Sequence, residues 1–75
     1  MKTYEKIEQL VNTRINGNSI KGNKTYENML KSVKVVDIVN YGLDMGVNIN
    51  YEPSYKPSKL YLINYIKDIL TGDFL

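Results

Sequence analysis

Apolar residues recur at helical spacing at the start of this chain. The first stretch consists of Tyr4, Ile7, Leu10, Val11 and Ile15. Residues three or four positions apart lie on one face of a helix, so this stretch predicts a helix with one apolar face. Asn16-Gly17 follows it, and glycine is the usual residue just past the last helical turn. We therefore predict a helix over about residues 3–16, with Thr3 as its N-cap.

Residues 25–45 form a second apolar stretch, for which the sequence leaves two interpretations open. The stretch contains the β-branched cluster Val33, Val35, Val36, Ile38 and Val39. Such a cluster taken alone suits a strand. We favour a helix because Ile38, Val39 and Leu43 recur at helical rather than alternating spacing. Thr25 and Ser32 are both candidate N-caps, so the segment is either one helix or two helices that break near residues 31–32.

The segment between these two stretches, residues 16–24, is polar and contains Gly17 and Gly22. Because it shows no apolar period, it predicts a mobile loop. A short hairpin around either glycine is the alternative.

The C-terminal part of the chain predicts an extended segment followed by a helix. Val47, Ile49 and Tyr51 alternate with polar residues, and Pro53 and Pro57 exclude a helix, so residues 47–57 are expected to form an extended strap. Ser58 is the expected N-cap of a helix over residues 58–71. Its apolar stripe is Leu62, Ile63, Ile66, Ile69 and Leu70, with Tyr61 and Tyr65 forming a second stripe. A helix this apolar is expected to lie at the centre of the fold or in an interface.

These elements predict an all-α protein, with residues 1–75 forming one domain of three to four helices. Its C-terminal part is expected to be a helix–extended strap–helix unit. A chain of 75 residues buries only about 60% of its unfolded surface. The sequence has no cysteine and no histidine, which excludes disulfides and zinc sites of the Cys/His type. Stability must therefore come from helix packing, and a homodimer is one way to increase it.

Residues 34–66 resemble a family of helix–extended loop–helix modules. The first part reads Lys34-Val35-x-x-Ile38-x-x-Tyr41-Gly42-x-x-Met45-Gly46-Val47, and the second reads Ser58-Lys59-x-x-Leu62-Ile63-x-x-Ile66. Both are similar to the paired helices of SAP domains, LEM domains and the N-terminal domain of the transcription terminator Rho. The chain departs from these modules at Lys34, where they usually have a capping hydroxyl, and in its longer strap.

The resemblance implies binding rather than catalysis, because SAP-like modules bind DNA and LEM-like modules dock onto partner proteins. By this resemblance Lys59, at the start of the second helix, is expected to lie near a phosphate, where the helix N-terminus adds amide donors. Lys56 in the strap is expected to provide a second contact. A solvated lysine in a first helical turn is the plainer interpretation of Lys59.

Net charge is only +2, but it is unevenly distributed along the chain. Residues 1–34 have a balance of +4 and residues 35–75 a balance of −2. The candidate nucleic-acid-binding residues are therefore Arg14, Lys21, Lys24, Lys31, Lys34, Lys56 and Lys59. The alternative for the loop lysines is a solvated, solubilising role. Tyr61 and Tyr65 are candidate protein-interface residues, since aromatic side chains dominate binding hot spots.

The sequence offers no catalytic chemistry that we recognise. Without histidine or cysteine there is no Ser-His pair or thiol nucleophile, so we expect no enzyme, no catalytic residues, no metal site and no cofactor. No apolar run has the length of a signal peptide or a membrane span, which favours the cytoplasm and no membrane partner.

Three functions remain open at this point. The abundance of Lys, Asn, Ile and Tyr indicates A/T-rich coding, typical of an AT-rich bacterium or of its phages and plasmids. We expect a small DNA-binding or DNA-associated regulatory protein that takes duplex or single-stranded nucleic acid. A phage- or plasmid-encoded inhibitor or adaptor of a host protein is the alternative, and a structural homo-oligomer is the third possibility.

Overall fold

The computed structural model describes residues 2–49 and 57–72, and these form four α-helices. They are α1 (Thr3–Ile15), α2 (Lys24–Ser32), α3 (Val35–Asp44) and α4 (Lys59–Thr71). No strand occurs within these two ranges, which confirms the all-α prediction. Most of the expected strap, including Lys56, lies outside the described residues. In the ranges that the structure covers, no helix has the length and apolar character needed to cross a membrane.

The β-branched segment is helical from Val35 onwards. Two helices form in place of one, and the break between them falls at Val33 and Lys34. Val33 and Lys34 have extended backbones, with φ and ψ of −102° and 150° and of −95° and 155°. The Val33 side chain is fully buried in the core. The break therefore falls one or two residues later than residues 31–32, where it turns a valine inwards between α2 and α3.

Three of the four candidate N-caps expected from the sequence do not cap a helix. Ser32 is the last residue of α2, and Lys34 is at the N-cap position of α3. Asn23, rather than Thr25, caps α2, because its side-chain oxygen accepts hydrogen bonds from the backbone N–H groups of Thr25 and Tyr26. Thr3 is the first residue of α1 rather than its cap. Ser58 caps α4 as predicted, accepting a hydrogen bond from the Tyr61 backbone N–H at 3.0 Å.

Helix α1 lies at the centre of the fold and contacts the other three helices, while α4 packs against both α1 and α3. Helices α1, α3 and α4 contribute fully buried side chains to one apolar core, and α2 packs against that core with half-buried side chains only. The core residues from the helices are Ile7, Leu10, Val11, Ile38, Val39, Tyr41, Leu62, Ile63 and Ile66. Five members of the predicted stripes are instead exposed, namely Tyr4, Ile15, Leu43, Tyr61 and Leu70. The predicted stripes were therefore wider than the faces that the core covers.

Two connecting segments are fixed by buried apolar side chains. Ile20 in the loop after α1 is only 1% exposed, as is Val47 after α3. Gly46 adopts a left-handed φ of 81°, which lets the Val47 N–H donate to the Gly42 carbonyl at 2.8 Å and turns Val47 into the core. Within the predicted loop the chain forms turns, with no hairpin among residues 16–24. The prediction of a mobile loop, made because the segment shows no apolar period, missed the anchoring of this loop by Ile20.

Candidate nucleic-acid interface

A cleft of about 160 Å³ opens between the end of α1, the loop that follows it and α4. Two of the predicted nucleic-acid-binding residues, Arg14 and Lys21, line this cleft. The other lining residues are Ser19, Ile20, Leu60 and Asn64, none of which was predicted. The cleft thus brings residues from the basic first half of the chain against the last helix.

The loop wall of the cleft is fixed by local hydrogen bonds and by Ile20. Gly17 has a left-handed φ of 81°, and the Asn18 N–H donates to the Thr13 carbonyl at 3.0 Å. The Ser19 hydroxyl then donates to the Lys21 carbonyl at 2.9 Å. With the Ile20 side chain buried in the core, these bonds hold the loop backbone beside α4.

Arg14 is held in place by two neutral acceptors. Its Nε–H donates to Oδ1 of Asn64 at 2.8 Å, and its Nη1 donates to the Asn18 carbonyl at 2.8 Å. A guanidinium has five N–H donors, so three remain without a hydrogen-bond partner among the described residues. The Arg14 charge is therefore fixed in position by partners that do not neutralise it.

Asp37, Asp44 and Glu8 act on the seam between α1 and α3, whereas the Glu27 carboxylate accepts a hydrogen bond from the Gly22 N–H at 3.3 Å, one residue after Lys21. The Tyr4 hydroxyl donates to Asp44 at 3.0 Å. Desolvation raises the pKa of Tyr4, and the hydrogen bond to Asp44 and the charges of Asp44 and Asp37 raise it further. Desolvation, followed by the charge of Glu8, raises the pKa of Tyr41. Negative potential is thus felt at the α1–α3 seam, whereas no carboxylate lines the cleft beside α4.

Lys31 and Lys59 meet at the end of α2. The Lys59 ammonium donates to the Lys31 carbonyl at 3.3 Å, and the Lys6 ammonium donates to the Ser32 hydroxyl at 3.2 Å. Cations are favourable there because a helix C-terminus carries partial negative charge. Lys59 is followed directly by Leu60, which lines the cleft. We call Arg14, Lys21, Lys31 and Lys59 together the basic face.

The remaining predicted basic residues are not brought to this face by any contact of the described residues. Lys24 is the first residue of α2, and Lys34 precedes α3, where its side chain makes no capping hydrogen bond. Both side chains are exposed. Lys56 lies outside the described residues. Of the seven basic residues predicted from sequence, two line the cleft, and the Lys59 ammonium contacts the backbone of Lys31.

Tyr61 and Tyr65 form a stacked pair on α4, with ring centroids 6.4 Å apart and ring planes inclined by 26°. Tyr61 is 56% exposed, whereas Tyr65 packs against the core. Asn64 lies three residues after Tyr61 and directly precedes Tyr65. Tyr61 does not itself line the cleft, but it directly follows Leu60, which does, and it lies one helical turn before Asn64.

The cleft offers side-chain N–H donors and positive charge, which suit an anionic ligand. In residues 2–49 and 57–72, no three Asp or Glu side chains come together as metal ligands. Sequence reasoning missed Asn64 because its role depends on how α4 packs against α1, which no local pattern encodes. No family model matches this chain, and no match was found among curated proteins or solved structures.

Proposed function

We propose that this protein binds nucleic acid through the basic face, as a small DNA-binding or DNA-associated regulatory protein of a phage, plasmid or AT-rich bacterium. One observation carries the proposal. The only ion pair between described residues is Lys67–Asp68, so no described carboxylate forms an ion pair with a cation of the basic face. Unpaired cations on one side of a protein are what a polyphosphate chain can neutralise with release of counterions.

The positions of several acidic side chains also support binding through the basic face. Asp37, Asp44 and Glu8 act on the tyrosines of the α1–α3 seam, while the cleft is lined by Arg14 and Lys21. We expect a phosphate backbone to be repelled at the α1–α3 seam and attracted at Arg14 and Lys21. This asymmetry explains how a protein with a net charge of only +2 can serve as a nucleic-acid binder.

Fluorescence anisotropy with labelled duplex and single-stranded oligonucleotides at low salt tests the proposal. Four phosphate contacts predict a slope of log affinity against log salt of about −3 to −4 for duplex DNA. Lys21→Ala should make this slope shallower by roughly one unit. Lys2→Ala removes the same charge at the opposite end of α1 and should change the slope little. The absence of binding to either strand form would contradict the function.

A protein partner is the second candidate function, and a different surface favours it. Val36, Leu43 and Met45 on and after α3 are each about half exposed, at 48%, 49% and 48%. Val36 and Leu43 are seven residues apart and so lie on the same side of the helix. Exposed apolar side chains grouped on one helix mark surfaces for docking, whether to a host protein or to a second copy of the chain.

Sedimentation velocity at several concentrations separates self-association from nucleic-acid binding. If the α3 surface forms a homodimer, the sedimentation coefficient rises with concentration, and Leu43→Lys abolishes that rise. Leu43→Lys should leave oligonucleotide binding intact or slightly stronger, because it adds a cation away from the basic face. A monomer at every concentration would remove the structural homo-oligomer from consideration.

A further inference from the structure

We propose that the cleft lined by Arg14, Lys21 and Asn64 holds a phosphate group of a single-stranded nucleic acid, with the neighbouring base stacked on Tyr61. This inference rests on the proposed nucleic-acid binding and names both the contact atoms and the strand state. It identifies one position on the basic face as a specific site, in contrast to diffuse attraction by surface lysines.

The orientation of Asn64 follows from the chemistry of its partner. An arginine side chain can only donate hydrogen bonds, so the atom of Asn64 that faces Nε of Arg14 must be its oxygen. The Asn64 amide nitrogen must then point away from that bond, with two N–H groups that no described residue accepts. Asn64 therefore serves Arg14 as an acceptor and presents donors of its own.

Together the cleft residues provide the donors that an oxyanion needs. Arg14 has three N–H groups left over, and the Lys21 ammonium makes no hydrogen bond with a described residue. Arg14 is half-buried and held by two hydrogen bonds, so little side-chain entropy is lost when it takes up an anion. Charge-assisted hydrogen bonds from such a fixed guanidinium are about twice as strong as neutral ones.

The aromatic pair beside the cleft indicates the kind of phosphate. A base can stack on the Tyr61 ring only when its own face is free, which is the case in a single strand and not within a duplex. Tyr65 stacks on Tyr61 and packs on the core, so the exposed Tyr61 ring is supported by a partly buried one. A cationic cleft next to an exposed, supported aromatic ring is the combination that proteins use on single strands.

Asn64→Asp provides the sharpest test, because it changes charge without changing shape. An aspartate at this position can still accept from Arg14, so the fold is retained, but it neutralises the guanidinium and replaces two donors with an acceptor. We expect the affinity for a single-stranded oligonucleotide to fall about tenfold or more. Lys2→Ala, which removes a charge far from the cleft, should weaken binding less than about twofold.

Tyr61→Ala and Tyr61→Phe test the stacking contact. Because Tyr61 is largely exposed, neither change disturbs the core. Tyr61→Ala should weaken single-strand binding about fivefold or more and affect duplex binding much less, because only the bases of a single strand can stack on this ring. Tyr61→Phe keeps the ring and should restore most of the single-strand affinity that Tyr61→Ala loses.

These measurements separate failure of the site from failure of the function. If oligonucleotides bind but Asn64→Asp and Lys21→Ala behave like Lys2→Ala, the cleft is not the site, although nucleic-acid binding stands. If duplex binds more tightly and Tyr61→Ala has no effect, the single-strand assignment is overturned. If no oligonucleotide binds, the function itself fails. A titration with inorganic phosphate or an acidic peptide, followed through the Asn64 amide resonances, then shows whether the cleft serves another anion.

Discussion

Arg14 and Asn64 are fifty residues apart in sequence and 2.8 Å apart in the structure, where Nε of Arg14 donates to Oδ1 of Asn64. This hydrogen bond joins the last turn of α1 to the middle of α4. Both side chains are half-buried, so the bond contributes to the packing of the two helices as well as to the shape of the cleft. Its contribution to stability can be separated from any role in binding.

Asn64→Ala should destabilise the protein relative to Asn40→Ala. Both changes exchange asparagine for alanine within a helix and gain the same helix propensity. Asn40 is exposed, and no hydrogen bond of its side chain is seen in the structure. We expect the free energy of unfolding in urea to be about 1 kcal/mol lower for Asn64→Ala, the usual net value of one hydrogen bond. Equal stabilities would show that the Arg14–Asn64 hydrogen bond makes no net contribution to the free energy of unfolding.

Ile20→Ala should be one of the more damaging loop substitutions in the chain. The side chain is 1% exposed, and its removal leaves a cavity that costs about 2–5 kcal/mol. Lys21→Ala, at the next position, should alter stability by less than about 0.5 kcal/mol. Thermal unfolding followed by circular dichroism distinguishes these values. Similar melting temperatures for the two variants would mean that the loop is not anchored.

Gly42→Val should lower stability because α3 approaches its neighbours closely at this position. A Cβ added to Gly42 would lie 2.7 Å from Cδ1 of Ile49 and 3.2 Å from Cδ1 of Ile66. Overpacking of this kind costs about 1–3 kcal/mol, more than the propensity gained by removing a glycine. Asn40→Val, on the exposed side of the same helix, is the matched control and should change the melting temperature little.

Stability should fall at alkaline pH partly through Tyr4 and Tyr41. The pKa of each phenol is raised in the folded protein, by desolvation first and then by nearby carboxylates. The folded state therefore holds these protons more tightly than the unfolded state. Their contribution is complete below about pH 10 and is lost as the pH rises through the raised values. Urea unfolding at a series of pH values should show a shallower alkaline decline for Tyr4→Phe, and identical profiles would contradict this.

Lys34→Ser should stabilise α3, whose N-terminus has no side-chain cap. Serine at the N-cap accepts a hydrogen bond from the first-turn backbone and is worth about 0.5–2 kcal/mol over alanine. Lys34→Ala is the matched control, since it removes the same charge without supplying an acceptor. Chemical denaturation of the two variants should give the serine protein the higher midpoint. The opposite order would indicate that the backbone geometry at residue 34 excludes capping.

The sequence predicted the features that depend on local periodicity and missed those that depend on packing. Helical spacing located α1, α3 and α4, and Ser58 was identified as a cap because a hydroxyl preceding an apolar period is a local signal. Ile20 could not be identified in this way, because a single apolar residue in a polar loop has no period. Leu43 and Leu70 fit the period but lie at the edges of their helical faces, where only neighbouring elements decide exposure.

The candidate site was partly accessible from sequence for a similar reason. Uneven charge along the chain led to Arg14 and Lys21, and both line the cleft. It also led to Lys24 and Lys34, which do not line the cleft. The charge of a segment does not show on which side of the fold each side chain lies. Asn64 is a neutral residue on an apolar helix, and only the packing of α4 against α1 gives it a partner.

Helix α2 has no fully buried residue, in contrast to its three neighbours. Its attachment depends on half-buried Tyr26, Met29 and Leu30 and on the lysine contacts at its end. Partial unfolding of this helix therefore costs less free energy than unfolding the whole protein, and its amide hydrogens should exchange first. Such opening would therefore move Lys24 and Lys31, which lie within α2, while α1, α3, α4 and the loop anchored by Ile20 remain folded.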